Sequence, residues 1–537
     1  MKNGFLVLLT FFLVSCATQE APEVLAAKSI QAADIAKHVK ILASDAFMGR
    51  KPFTEGGLKT TQYLKDAFTE IGLQSSFQEV PLIQVTGKPT ATFEIQQGNR
   101  SLSLALQTEF VAFSKVQKEQ ISITNAAFVF AGYGIVAPEY AWDDYKDIDV
   151  KGKIVVVLVN DPGMVSEDPA FFKGTTMTYY GRWTYKFEEA ARQGAKGCII
   201  IHQDKGAGYN FSVVKNGAAF PKLYLQREDG YKNSCAVEGW LTSAAAKKLF
   251  DFCKMDTQLI QKAATRAHQS FPMPATGTVG ITQSFVSKTS KNVLAYLEGG
   301  AKKEELLIFS AHWDAFGIGP KVAGDSIYNG AIDNATSLAW LLETAEAFQQ
   351  LPNKPARSIL FFAPTAEEAG LLGSAYYAEN PVYPLKNTVA VINNDLMFPF
   401  GETYDIMVTG FGQSELDDLL AVAAKKQGRY LLPDPNSHTG MFFRSDHFSF
   451  AKVGVPALYA RSYHDHKTKG KAWMQAKEKD YLTNYYHKTI DAYQEDWDLS
   501  GVVLVSKLLF DLAYNLSNSE VYPQWKASSE FKNIERN

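Results

Sequence analysis

Cysteine is scarce in this chain: Cys16, Cys198, Cys235 and Cys253 are all that 537 residues contain. So few exclude a disulfide-stapled scaffold, and none has the close spacing of a cysteine metal site. Cys235 and Cys253 could pair in an oxidising compartment, while Cys198, set in the apolar run Gly197-Cys198-Ile199-Ile200-Ile201, reads as a small buried residue. Net charge is nearly absent as well. With 54 basic against 57 acidic side chains the balance is -3, which gives no support to nucleic-acid binding, a function that needs a concentrated basic face. Two common hydrolase signatures are also missing. There is no His-Glu-x-x-His helix and no Gly-x-Ser-x-Gly elbow, so neither a single-zinc zincin nor a serine hydrolase has an anchor. The stretch Gly132-Tyr133-Gly134-Ile135-Val136-Ala137 fits a dinucleotide fingerprint in outline, but Pro138 stands where the phosphate-binding helix should already be under way, so it reads as a turn.

What is present is the composition of a globular protein, 46% hydrophobic and 21% charged. The length predicts two to four domains, since single cores stop growing at about 250 to 300 residues. At the amino terminus Lys2 precedes the apolar run from Phe5 to Val14, followed by Ser15-Cys16. This predicts an export signal, too short to span a bilayer as a stable helix. Its end resembles the lipobox at which bacteria attach lipid to a new terminal cysteine, here Cys16. No later segment is long and apolar enough to span. The expectation is an exported bacterial lipoprotein on the periplasmic or cell-surface side, touching the membrane only through its lipidated amino terminus.

The remaining chain divides by texture. Residues 17–85 include an amphipathic helix from Thr61 to Gly72 that aligns Leu64, Ala67, Phe68 and Ile71. Residues 86–284 carry short β-type runs separated by Gly, Pro and Asn, including Lys153 to Val159 and Gly197 to His202, with a helix around Phe187 to Gly194. They read as a smaller, β-rich α/β module inserted into the main domain. In residues 285–537 strands and helices alternate: strands at Asn292 to Leu297, Leu306 to Ser310, Ser358 to Ala363 and Val389 to Asn393, and helices at Ala335 to Phe348 and Leu499 to Leu516. That alternation predicts an α/β fold with a mainly parallel central sheet and helices on both faces.

In such a sheet ligands bind beyond the carboxyl ends of the strands, and polar residues collect there. His312-Trp313-Asp314 follows the strand ending at Ser310, Glu367-Glu368 the one ending at Ala363, and Asp395 the one ending at Asn393. Each alone reads as a cap or loop residue. Together they supply the ligand types that suit zinc, cobalt or manganese.

The ordered motifs are more specific. Ala311-His312-Trp313-Asp314, Asn329-Gly330-Ala331-Ile332-Asp333-Asn334-Ala335, Ala366-Glu367-Glu368-Ala369-Gly370-Leu371-Leu372-Gly373-Ser374, Asn394-Asp395-Leu396-Met397 and Tyr486-His487 resemble those of the co-catalytic di-zinc exopeptidases. That family includes bacterial aminopeptidases and glutamate carboxypeptidase. Residues 86–284 more loosely resemble the protease-associated domain that some members carry as an insertion. The resemblance implies two Zn2+ per chain, with Co2+ or Mn2+ as substitutes. It assigns His312 and Asp395 to one ion, Glu368 and His487 to the other, and Asp333 as the bridge, followed by a cis peptide to Asn334. Asp314 would orient His312 by accepting its other ring proton. Two dications against three ligand carboxylates and a bridging hydroxide leave the cluster near neutral. Glu367 is then the general base for that nucleophile, the Tyr486 hydroxyl helps to stabilise the oxyanion, and Arg444 contacts the peptide substrate.

Some readings stay open. His464 or His466, a His-x-His pair, could replace His487. Arg444 could serve only to neutralise Asp446. Thr336-Ser337 stands where many members have Ser-Gly, which touches local packing rather than a ligand. An aminopeptidase is favoured, with a carboxypeptidase or dipeptidase of the same family, or a catalytically inactive receptor-like binding protein, as alternatives. The complete ligand set argues against the inactive form and against a single-zinc glutaminyl-cyclase-like transferase.

Overall fold

The computed structural model describes residues 20–536; Cys16 and the signal segment before it lie outside the described residues. At the centre of the carboxyl-terminal half, strands Ala457–Ser462, Thr388–Asn393, Lys302–Ser310 and Arg357–Ala363 lie side by side and parallel. Leu307 and Phe309 point into one buried cluster, Leu306 and Ile308 into another on the opposite face. Both faces are covered, which is why these strands read as continuous apolar runs. One cover is helix Thr336–Gln349, whose Leu338, Leu341, Leu342 and Phe348 pack with Val505, Leu508 and Leu509 of helix Ser500–Ser517.

The helix expected from Thr61 to Gly72 spans Glu55–Glu70 and buries Leu64 and Phe68. It begins six residues earlier than its apolar spacing indicates, because Gly56 and Gly57 are there for closeness rather than propensity. A Cβ on Gly56 would stand 2.1 Å from the Phe47 carbonyl oxygen, and one on Gly57 2.4 Å from that of Lys51. Thr54 caps the helix by accepting from the Gly57 N–H at 3.3 Å.

The intervening region has its own parallel segment, Gln120–Phe130, Ile154–Leu158, Gly197–Ile201 and Val237–Leu241, and its own two cores. Cys198 and Cys235 lie in one of these cores and Cys253 in the other, and all three are free thiols. The open possibility of a Cys235 to Cys253 bond is thus not realised, since the two occupy separate cores. The connection to the rest of the chain is a ribbon. Strands Gln74–Pro89 and Phe271–Leu297 pair antiparallel from Gln74 opposite Tyr296 to Pro89 opposite Ile281. Thr86 and Ser284, next to the expected boundaries, are register partners within it. The sheet therefore continues through both regions rather than stopping at a loop. Among the described residues no helix is long and apolar enough to cross a membrane.

Candidate metal centre

Each central strand ends in a loop that turns a polar side chain toward one point. His312 leaves strand Lys302–Ser310, Glu367 and Glu368 follow Arg357–Ala363, and Asp395 follows Thr388–Asn393. Asp333 comes from the irregular turn before helix Thr336–Gln349, where the Asp333-Asn334 peptide is cis. His487 follows the turn after helix Lys471–Asp480 with φ of 58°, a left-handed backbone rare for a residue other than glycine and found disproportionately at functional sites.

These side chains form two adjoining groups, His312 with Glu367 and Asp395, and Asp333 with Glu368 and His487; within each group the ligand atoms lie within 4.8 Å of one another. Asp333 joins the groups. Its Oδ1 is 3.4 Å from His312 Nε2, and its Oδ2 is 3.1 Å from His487 Nε2. His312 Nε2 is 3.6 Å from Asp395 Oδ1 and 3.8 Å from Glu367 Oε2, and His487 Nε2 is 3.4 Å from Glu368 Oε2. Buried His312 Nε2 and Glu368 Oε1 have no hydrogen-bond partner.

The electrostatics are lopsided. Burial, opposed by His312 but reinforced by Asp395 and Asp446, pushes the Glu367 carboxyl well above its usual range. Burial and then the neighbouring charges of Asp333 and Glu367 do the same to Glu368. Burial alone would also raise Asp333, but hydrogen bonds and charge from His312 and His487 together outweigh it and hold that carboxyl low. A buried cluster with this surplus of negative charge and with unpartnered ligand atoms is short of cations. Its imidazole and carboxylate donors fit zinc or a similar divalent ion.

Asp314 departs from its expected role. His312 Nδ1 donates to the backbone carbonyl of Asp314 at 3.1 Å, whereas the carboxylate oxygen is 3.8 Å away. The carboxylate instead accepts from the backbone N–H groups of Glu367 at 3.0 Å and Glu368 at 3.3 Å. The residue thus orients His312 by its main chain and both glutamates by its side chain.

Arg444 lines the same crevice as Glu367, Asp395 and Tyr486. It does not pair with Asp446: its Nη2 donates to the Thr439 carbonyl at 2.8 Å, and its guanidinium lies 5.9 Å from the Tyr209 ring centre. The Tyr486 ring stacks on that of His487, with centroids 3.7 Å apart. His464 is tied to Glu478, and His466 accepts from the backbone of Thr468 and Lys469 at 3.1 Å. Neither belongs to the two groups. His447 is enclosed by Phe442 and Tyr459.

The sequence marks Asp446 only as a possible partner of Arg444 and does not mark Arg50 at all. Asp446 is wholly buried with both carboxylate oxygens unpartnered, and burial lifts it to about 7. Its Arg444-Ser445-Asp446-His447 context carries no pattern that separates it from a loop acid. Arg50 stands in an N-terminal turn with no apolar period to mark it.

Strand ends that deliver two abutting histidine and carboxylate groups to one crevice define an α/β protein with a candidate metal site. Residues 292–508 match the model described as Peptidase family M28. Aminopeptidase NAALADL1 of Mus musculus is 32% identical over 132 residues, which is 24% of this chain and 16% of that protein. A Glutamate carboxypeptidase 2 homolog of Caenorhabditis briggsae is 33% identical over 123 residues, 22% of this chain and 14% of that protein. The matched part thus spans less than a fifth of either relative's length. The solved Aminopeptidase from Aneurinibacillus sp. strain AM-1 shares the fold, with a TM-score of 0.50 at 19% identity, covering 96% of this chain and 98% of that one.

Proposed function

We propose that this protein is a zinc-dependent exopeptidase, an aminopeptidase, that removes residues from the free amino end of peptides. The observation that carries the reading is Asp333, whose two oxygens face a histidine from each of two adjoining ligand groups. His312 and Asp395 would hold one zinc ion, Glu368 and His487 the second, and Asp333 both. When bound, the ions supply Lewis acidity, which brings the pKa of water down to about 7 and polarises a carbonyl.

The chain's own groups then divide the remaining work. Glu367 lies against the first ligand group with its Oε2 3.8 Å from His312 Nε2 and is 9% exposed. Burial favours its protonated form, so its carboxylate readily takes a proton from water and returns it to the leaving amine. Asp314, holding the Glu367 and Glu368 amides, fixes the direction of both side chains. The Tyr486 hydroxyl donates to the developing oxyanion, and Arg444 meets the body of the substrate. A carboxypeptidase is the second reading. It is favoured by the Arg444 guanidinium, which lines the crevice without a carboxylate partner among the described residues and with its Nε unpartnered.

The test is to count zinc per chain and to compare peptides with free, acetylated and amidated ends. Cleavage that requires a free amine supports the aminopeptidase. A requirement for a free carboxylate moves the assignment to the carboxypeptidase, and zinc-loaded protein that cleaves none of the peptides overturns both.

A further inference from the structure

Two backbone turns each carry one residue of a different ligand group: Ala311-His312-Trp313, and Asn329-Gly330-Ala331-Ile332-Asp333. One side chain from far earlier in the chain grips both. Arg50 is fully buried at the end of the short turn Asp45–Arg50. Its Nε donates to the Trp313 carbonyl at 3.0 Å, its Nη1 to the Leu42 carbonyl at 3.0 Å and also to that of Asn329, and its Nη2 to the Gly330 carbonyl at 2.8 Å. All four acceptors are main-chain oxygens. No carboxylate lies within ion-pair distance of it among the described residues.

The site is shaped around this contact. Arg50 adopts φ of 49° and Gly49 φ of 64°. A Cβ on Gly330 would come within 2.9 Å of Arg50 Nη2 and 2.2 Å of the Asp333 carbonyl oxygen. The Asp333 turn is also held from its amide side. The Asp491 carboxylate accepts from the Ile332 and Asp333 N–H groups at 3.1 and 3.2 Å, and its carbonyl accepts from the Ala331 N–H at 3.0 Å. A cation on the carbonyls and an anion on the amides leave this turn little freedom. Burying a guanidinium with no carboxylate partner is costly. A core that needed only volume at this point would be served by an apolar residue.

We propose that Arg50 is a positioning residue of the metal centre: by bonding both turns at once it sets the separation of His312 from Asp333, and with it the spacing of the two cations. The proposal rests on the two-zinc reading above. Arginine suits the task because its planar fork offers five fixed donors, whereas the ammonium of lysine is a compact point charge without that fork.

The experiment uses full-length, zinc-loaded protein and the variants Arg50→Lys and Arg50→Met. Zinc affinity is read by competition with a chromophoric chelator, and geometry by the visible absorption of the cobalt-substituted protein. Loss of a partner that orients ligands costs about 10- to 100-fold in metal affinity, and that loss is expected for the weaker ion in Arg50→Met, with a shifted cobalt spectrum. Misplacement of the reacting groups should lower kcat by about 100-fold with little change in KM. Arg50→Lys should fall between. Variants that bind two zinc ions with the original affinity and cobalt spectrum overturn the proposal, whatever their stability. So do variants that fail to fold in saturating zinc, because Arg50 would then serve the fold alone. Original protein that takes up no zinc is a different failure, that of the two-zinc reading itself.

Discussion

The chain contains two parallel sheet segments, and both end in loops that bury carboxylates. Beyond strands Gln120–Phe130 and Ile154–Leu158 of the intervening region stand Asp144 and Asp161. Asp144 accepts from the Tyr133 and Ile135 N–H groups at 3.2 and 3.0 Å. Asp161 accepts from the Gly163 and Thr178 N–H groups at 3.0 Å and from the Thr178 hydroxyl at 2.7 Å. The buried ammonium of Lys186 lies near both, over the Tyr133 ring at 5.7 Å. Here both carboxylates have main-chain donors and a lysine is built in beside them, its Nζ without a hydrogen bond of its own. At the metal centre the main chain supplies no such donors to the ligand atoms among the described residues, and His312 Nε2 and Glu368 Oε1 are left without partners. Position at a strand end thus shows where a ligand could sit. The count of donors and charges shows whether one is needed.

The sharpest break of this contrast is to remove what the metal centre lacks. Chelation is expected to abolish peptide cleavage, and Asp333→Ala, which takes away the residue facing both groups, should do the same even in excess zinc. Zinc content by atomic emission and peptide turnover check both. An Asp333→Ala protein that keeps two ions would show that the groups are separate sites. Next in size is Glu367→Ala, expected to lower kcat by about 100- to 10,000-fold as the proton-transfer contribution disappears. Its zinc content should be retained, since Asp395 and His312 remain.

At the self-contained end the matching test is Lys186→Met. It leaves Asp144 and Asp161 buried without their cation, and breaking a buried charge set from one side costs about 3 kcal/mol. Burial already holds Lys186 down to about 7, and Asp144 is pushed up to about 7 and Asp161 to about 6. Thermal unfolding should read this loss, with zinc content unchanged. No loss of stability would mean that the backbone donors alone satisfy the two carboxylates.

How far this was legible in the sequence follows the same division. The central strands and the helix Thr336–Gln349 were plain because apolar residues recur at their own periods, and His312, Glu367 and Asp395 were plain because they directly follow strands. The convergence of Asp333 and His487 came from motif resemblance, since neither position has a periodic signal. Three things were not legible. The contact from the Asp314 carbonyl depends on loop backbone dihedrals that no residue type announces. Arg50 reaches across 263 residues to Trp313. The continuous ribbon of Gln74–Pro89 with Phe271–Leu297 depends on a register between segments some 200 positions apart, where composition suggests only a change of texture.

The smallest expected effect concerns buried charge away from both strand ends. On helix Thr336–Gln349 the Glu343 carboxylate faces His38, with Oε1 3.6 Å from His38 Nε2, and its Oε2 has no partner. Burial, aided by the charges of Asp34 and Glu346, pushes Glu343 up to about 8, and burial holds His38 down to about 4. From pH 4.5, the ordinary value of the carboxyl, to about 8 the folded state keeps a proton on Glu343 that the unfolded chain has lost, so this group's contribution to stability falls as pH rises. His38 acts oppositely between about 4 and 6.5, where the unfolded chain holds the extra proton and stability climbs with pH. The two trends offset below 6.5, leaving a net decline from 6.5 to about 8. Glu343→Gln removes the falling trend, and melting curves across this range should show the variant level with the original protein near pH 5 and increasingly more stable than it toward pH 8. A variant that gains equally at both pH values would show that Glu343 is charged in the folded protein throughout, and that this end of the core, like the metal centre, carries an uncompensated anion.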